Sequence, residues 1–135
     1  MIEQALAFAD RWYAAWNTHR PGPSEANLDA IMACYDDAIE HSSPFIARFN
    51  AGVGAEDGRA EVDTLRGKAA VGAYFGRALV RNPTPPGVER FQPMHLAVGM
   101  RSVLVMYRRW TGELAGEVFF LNQAGLIVRS VSHYG

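Results

Sequence analysis

The chain has 135 residues, an apolar fraction of 49%, a charged fraction of 20% and a formal net charge of −1. This length and composition fit one globular domain spanning residues 1–135 and exclude a disordered chain. Balanced charge without a basic stripe argues against nucleic-acid binding, and Cys34, the only cysteine, cannot form an intrachain disulfide.

The opening stretch MIEQALAFADRWYAAW has no basic leader, and Glu3, Gln4, Asp10 and Arg11 interrupt it. It reads as neither a signal peptide nor a membrane span, so no membrane association and a cytoplasmic location are expected. Leu6, Ala9, Tyr13 and Trp16 follow helical spacing, widened by Ala5, Phe8, Trp12 and Ala15, which predicts a helix from residue 2 to about 19. Pro21-Gly22-Pro23 ends it. Ser24 is placed to cap a second helix over about 25–36, with Leu28, Ile31, Met32 and Tyr35 on its apolar side and Cys34 as a small core residue. A short strand follows over 38–43, closed by Pro44. Residues 45–66 are rich in turn formers and read as a long loop, with a short strand at Val62 to Leu65 as an option. Gly67 precedes a third helix over about 68–82, carrying Val71, Tyr74, Phe75 and Leu79 on one face; Pro83 stops it. The rest alternates as a meander, with strands near 89–98, 102–110, 114–122 and 126–134 joined by short turns containing glycine. Helices before a meander give an α+β layering in which a curling sheet wraps the first helix and leaves a cone.

Several segments together resemble the NTF2-like superfamily, in its SnoaL-like branch of small cone-shaped proteins. They are Trp12-Tyr13-Ala14-Ala15-Trp16-Asn17, Tyr35-Asp36-Asp37-Ala38 with Ser43-Pro44, Gly67 with Val71 and Tyr74-Phe75, Glu117 to Asn122 with Gly125, and the ending His133-Tyr134-Gly135. The resemblance covers nearly the whole chain. It implies three N-terminal helices packed on a strongly curved antiparallel sheet, a pocket for a small apolar or aromatic ligand, and a homodimer through the outer sheet face. Val103, Val105, Tyr107 and Val131 are the expected outward residues of that face. In ketosteroid isomerase, a relative of this branch, a base carboxylate precedes a proline, a helix tyrosine holds the oxyanion, and a late-strand acid assists it. The matching positions here are Ser43 (or Ser42), Trp12 with Tyr13 one residue on, and Glu117, so one of the three parts is present. SnoaL-type cyclases and related epoxide hydrolases use other acidic residues in the same cone.

Acidic residues are depleted in strands and rarely buried alone, so Glu117 between Gly116 and Val118-Phe119-Phe120-Leu121 draws attention. If Glu117 and Phe119 face inward, desolvation favours the neutral carboxyl and makes it a proton donor. With the opposite parity, Glu117 is solvated and paired with Arg108, Arg109 or Arg129. His41 alternates with Ile39 and Ser43 and is the candidate base, or else a structural histidine. Tyr13, Trp16 and Tyr134, with Ser43 and Phe119, are the expected substrate contacts, and Tyr13 the expected oxyanion donor. No histidines stand at metal-ligand spacing and no phosphate-binding glycine loop is present, so neither metal nor cofactor is expected. Two functions remain open. One is a cofactor-independent isomerase, cyclase or dehydratase acting by proton transfer on an apolar carbonyl or polycyclic substrate. The other is a non-catalytic ligand-binding or protein-interaction module.

Overall fold

A computed structural model describes residues 2–18, 25–49 and 63–135. In chain order they form α1 (Ile2–Asn17), α2 (Glu25–Met32), β1 (Tyr35–Ser42), α3 (Pro44–Phe49), β2 (Thr64–Arg66), α4 (Lys68–Arg81), β3 (Phe91–Gly99), β4 (Ser102–Arg109), β5 (Leu114–Leu121) and β6 (Ile127–Tyr134). The six strands make one curved sheet in the order β2-β1-β6-β5-β4-β3.

The α+β class is the expected one, with two differences. The sheet is not wholly antiparallel: β1 runs parallel to β6, with Tyr35 opposite Ile127 and His41 opposite Ser130. Among the described residues, four helices precede the meander rather than three, and β1 and β2 lie between them. The additional helix, α3, falls where a loop was expected. Pro44 suits a first helical position because it has no N–H to leave unpaired, and Ser43 Oγ accepts the Phe45 N–H at 3.1 Å, as a helix N-cap does. The second helix stops at Met32 and not near 36, because Tyr35 is taken into the ladder against Ile127. The proposed Pro21-Gly22-Pro23 stop, the Ser24 cap, the loop tip and Val62 lie outside the described residues.

α1 is held across the concave side of the sheet. Its buried stripe runs through Phe8, Trp12 and Trp16. The Trp12 ring lies 5.1 Å from Phe119, 5.5 Å from Phe91 and 5.8 Å from Tyr107, and its Nε1 donates to the Tyr35 hydroxyl at 3.1 Å. Aromatic pairs of this kind contribute about 1 kcal/mol each beyond their area burial. The helix end is fastened by Asn17, whose Nδ2 donates to the Phe91 carbonyl at 2.9 Å while its Oδ1 accepts the Phe91 N–H at 2.8 Å. α4 starts at Gly67, whose φ of 89° is costly for any other residue and whose N–H donates to the Ile39 carbonyl at 2.8 Å. From there Val71, Tyr74 and Phe75 turn inward.

The parity expected for β4 is reversed. Val103, Val105 and Tyr107 were expected on the outer face, but they are buried on the concave side. The sequence Val-Leu-Val-Met-Tyr is apolar on both faces, so its alternation carries no sign. The register with β5 supplies the sign, because Val105 stands opposite Glu117 and Tyr107 opposite Ala115. The outer face is formed by Leu104, Met106, Val118, Phe120 and, as expected, Val131. Among the described residues, no helix is long and apolar enough to cross a membrane.

Candidate active site

α1, α4 and the concave sheet enclose a cavity of about 610 Å³. Its sides are aromatic: Trp12 and Trp16 from α1, Tyr74 and Phe75 from α4, and Phe91 from β3. Its polar groups come from strands whose alternation points them inward: His41 on β1, Tyr107 on β4, Glu117 on β5, and Ser132 and Tyr134 on β6.

Glu117 is only 6% exposed. Tyr107 Oη donates to its Oε1 at 3.1 Å, and Ser132 Oγ lies 3.0 Å from Oε1 and 2.7 Å from Oε2. No cation pairs with it among the described residues. Arg129, one of the partners considered for it, is on the outer face with Glu40 at 3.1 Å. Desolvation therefore dominates and raises the carboxyl to about 7, while the bonds from Ser132 and Tyr107 offset part of that shift. Burial likewise raises Tyr107, Tyr134 and Tyr74, so these phenols remain hydrogen-bond donors throughout the ordinary pH range.

His41 is also buried, with its ring 5.1 Å from Phe75 and 6.0 Å from Tyr74. Its Nδ1 shares a 2.6 Å hydrogen bond with Ser130 Oγ, and Nε2 has no hydrogen-bond partner among the described residues. Desolvation lowers it to about 4, so the imidazole is neutral at physiological pH. His41 and Glu117 are not in direct contact. Their strands are separated by β6, which places the two backbones roughly 10 Å apart. β6 serves both, offering Ser130 to His41 and Ser132 to Glu117.

The other expected contacts divide. Trp16 and Tyr134 are in the cavity wall. Ser43 is buried just behind it, near the Tyr74 and Tyr134 hydroxyls. Phe119 lies beneath Trp12 and Phe8 as packing. Tyr13 is outside the wall, with its hydroxyl directed at the Met106 carbonyl at 3.5 Å, so it is not placed to hold an oxyanion. Sequence reasoning missed Tyr107 and Ser132 at the carboxyl, and Arg90, Arg109 and Trp110 at the rim. Tyr107 could have been found from the turn at Gly112. That turn sets β4 against β5 and forces Tyr107 and Glu117 onto the same face. Among the described residues, no three His, Cys, Asp or Glu side chains gather as a metal site.

No family model and no curated protein matches this sequence. Solved structures do. A SnoaL-like protein of unknown function from Burkholderia thailandensis is 32% identical, with 100% of this chain and 98% of that one covered and a TM-score of 0.77. A SnoaL-like family protein from Agrobacterium tumefaciens, provisionally described as an isomerase, is 16% identical over 98% of each chain with a TM-score of 0.68. A protein from Kribbella flavida, provisionally described as a ketosteroid isomerase, is 16% identical, with 98% of this chain and 78% of that one covered and a TM-score of 0.54. The last two similarities concern the fold alone.

The buried carboxyl has a thermodynamic consequence. With its folded value raised from 4.5 to about 7, the native state keeps a proton that the unfolded chain releases. The resulting stability is fully present below pH 4.5 and is lost as pH rises through about 7. At about 1.36 kcal/mol per pKa unit this amounts to roughly 3 kcal/mol. His41 has the opposite sign, costing stability as pH falls from 6.5 towards about 4. Comparing wild type with Glu117→Gln cancels the histidine. Urea unfolding from pH 5 to 8 is expected to show the wild type losing roughly 3 kcal/mol relative to the variant. A difference independent of pH would mean that Glu117 ionises normally.

Proposed function

The chain belongs to the SnoaL-like family of NTF2-like proteins, and on that premise we propose that its cavity catalyses acid–base proton transfer on an apolar carbonyl-containing or polycyclic substrate, as an isomerase, cyclase or dehydratase. The observation that carries this reading is Glu117: a carboxyl raised to about 7 at the floor of an aromatic cavity and held by Tyr107 and Ser132. Such a group exchanges a proton at neutral pH with little driving force wasted. The isomerase descriptions attached to proteins of the same fold agree with it.

In this mechanism Glu117 is the acid. Its proton goes to the substrate's carbonyl oxygen as negative charge develops there, and the Tyr107 and Ser132 hydroxyls then stabilise the carboxylate left behind. His41 lines the cavity from the other side of β6, with Nε2 unpartnered among the described residues and the ring neutral. It accepts the proton leaving the carbon next to the carbonyl. Its low basicity in the free protein rises as negative charge develops on the substrate during the transfer, because a nearby anion favours the imidazolium. The roughly 10 Å between the strands leaves room for a substrate between the two groups. Trp16 and Tyr134 are the proposed substrate contacts.

Deuterium exchange reads this chemistry without knowledge of the product. In D2O, a panel of steroid, polyketide and terpenoid ketones is incubated with the protein and analysed by mass spectrometry. Wild type is expected to label the carbon next to the carbonyl of at least one ketone, and Glu117→Gln to slow that labelling by roughly 100-fold or more. The rate should fall above about pH 7 as Glu117 loses its proton, and below about pH 4 as His41 gains one. Equal labelling by the variant would sink the catalytic role. Ketone binding without any labelling would favour the binding-module reading.

We also propose that the outer sheet face pairs two copies of the chain. Leu104 and Phe120 are 39% and 40% exposed there beside Met106, Val118 and Val131, an apolar stripe that a soluble monomer would leave wet. Sedimentation velocity should give a dimer for wild type and a monomer for Leu104→Glu; a monomeric wild type at micromolar concentration contradicts the proposal.

A further inference from the structure

The rim of the same cavity carries charge that the proton-transfer chemistry does not use. Arg90, just before β3, is 5% exposed. A guanidinium that far from water is costly to hold unless it is paired. Its Nη1 donates to the Asn82 carbonyl at 2.7 Å and to Thr84 Oγ1 at 3.0 Å, but its Nε is buried with no partner. No carboxylate reaches it among the described residues.

A second guanidinium stands beside it. The Cζ atoms of Arg90 and Arg109 lie 4.5 Å and 5.1 Å from the centre of the Trp110 ring, so both cations share one indole. Arg109 also lies 5.5 Å from the Phe45 and Tyr134 ring centres. Burial first, and the neighbouring Arg109 second, lower Arg90 to about 10. The carboxylate described at this rim is Glu113, exposed, bonded by the Thr111 hydroxyl and 3.9 Å from Arg109. Arg48 and Arg81 also line the cavity, so the cations of its wall outnumber the carboxylates described there.

We propose that Arg90 and Arg109, backed by Trp110, form an oxyanion-binding subsite, and that the substrate is a carboxylate borne on an apolar, ring-containing body. Planar guanidinium groups match a carboxylate's two oxygens. The spacing suits the same class. Arg109 lies four residues along β4 from Val105, the position opposite Glu117, which is roughly 13 Å of strand before both side chains reach inward. A skeleton of two or three fused rings bridges that gap, with its carboxylate at the rim and its reacting carbon at the floor. The subsite rests on the proposed function only for what happens at Glu117.

Calorimetric titration with 2-naphthoate, its methyl ester and 2-naphthyl phosphate tests the subsite without reading turnover. At low salt, wild type is expected to bind naphthoate at least about tenfold more tightly than the ester, an advantage that shrinks as salt is raised. Arg109→Gln, at the half-buried rim, should reduce the advantage to within about twofold, as charge-assisted contacts are lost. Arg90→Met should do the same, provided its circular dichroism remains that of wild type; Arg109→Gln carries the test if it does not. Equal affinity for naphthoate and ester, or no binding of either at millimolar concentration, overturns the proposal. So does tighter binding of the phosphate, which would assign the rim to phosphate esters. Glu117→Gln should keep the preference for naphthoate, so a failure of the catalytic reading leaves this result separate.

Discussion

A carboxyl group in the middle of a sheet, away from water and without a cation, can be tolerated only if its surroundings supply hydrogen bonds and its proton stays within reach. Glu117 meets both conditions. Tyr107 and Ser132 come from the strands on either side of β5, so the ladder that fixes the sheet also fixes the donors. Much of the architecture serves to keep that group dry without collapsing onto it. Trp12 and Trp16 hold α1 away from the sheet, and bulky rings on α4 close the side.

The sheet gains its curvature where pairing is interrupted. Register shifts occur between Tyr35 and Glu40 on β1, between Pro93 and His95 on β3, and between Phe120 and Leu121 on β5. Extra residues of this kind bend a strand and increase its twist. The parallel pairing of β1 with β6 then brings His41 into the same concave wall as Glu117, two strands away, with β6 as a shared polar spine. Two ionisable groups with displaced protonation in opposite directions thus face one cavity, the arrangement that lets acid and base coexist at one pH.

The sequence carried unequal amounts of this. α1, α4 and the four-strand meander were legible because their apolar residues repeat over long stretches, and glycine or proline marks the ends of α4 and the turns of the meander. Glu117 was legible as a strange residue in an apolar strand. The faces of β4 were not, since Val103 to Tyr107 is apolar on both sides and a one-residue choice reverses everything. That error hid Tyr107, although the hairpin through Gly112 ties its face to that of Glu117. The parallel β1–β6 pair left no local trace, because its partners are distant in the chain. Arg90 in Glu89-Arg90-Phe91 looks like an ordinary surface arginine, and only its burial against Trp110 and Asn82 distinguishes it. Tyr13 misled for the opposite reason: it shares the buried stripe of α1 but lies on the side turned towards β4.

The SnoaL-like fold supplies the cavity, whereas the proposed chemistry depends on one proton. The most direct test is to titrate that proton. With glutamate labelled at the side-chain carboxyl carbon, and the Glu117 signal assigned by its loss in Glu117→Gln, the carbon-13 chemical shift is followed from pH 3 to 9. A midpoint near 7 is expected. A midpoint near the ordinary 4.5 would mean that water or a counter-charge reaches the carboxyl, and Glu117 would then hold no proton to donate at neutral pH.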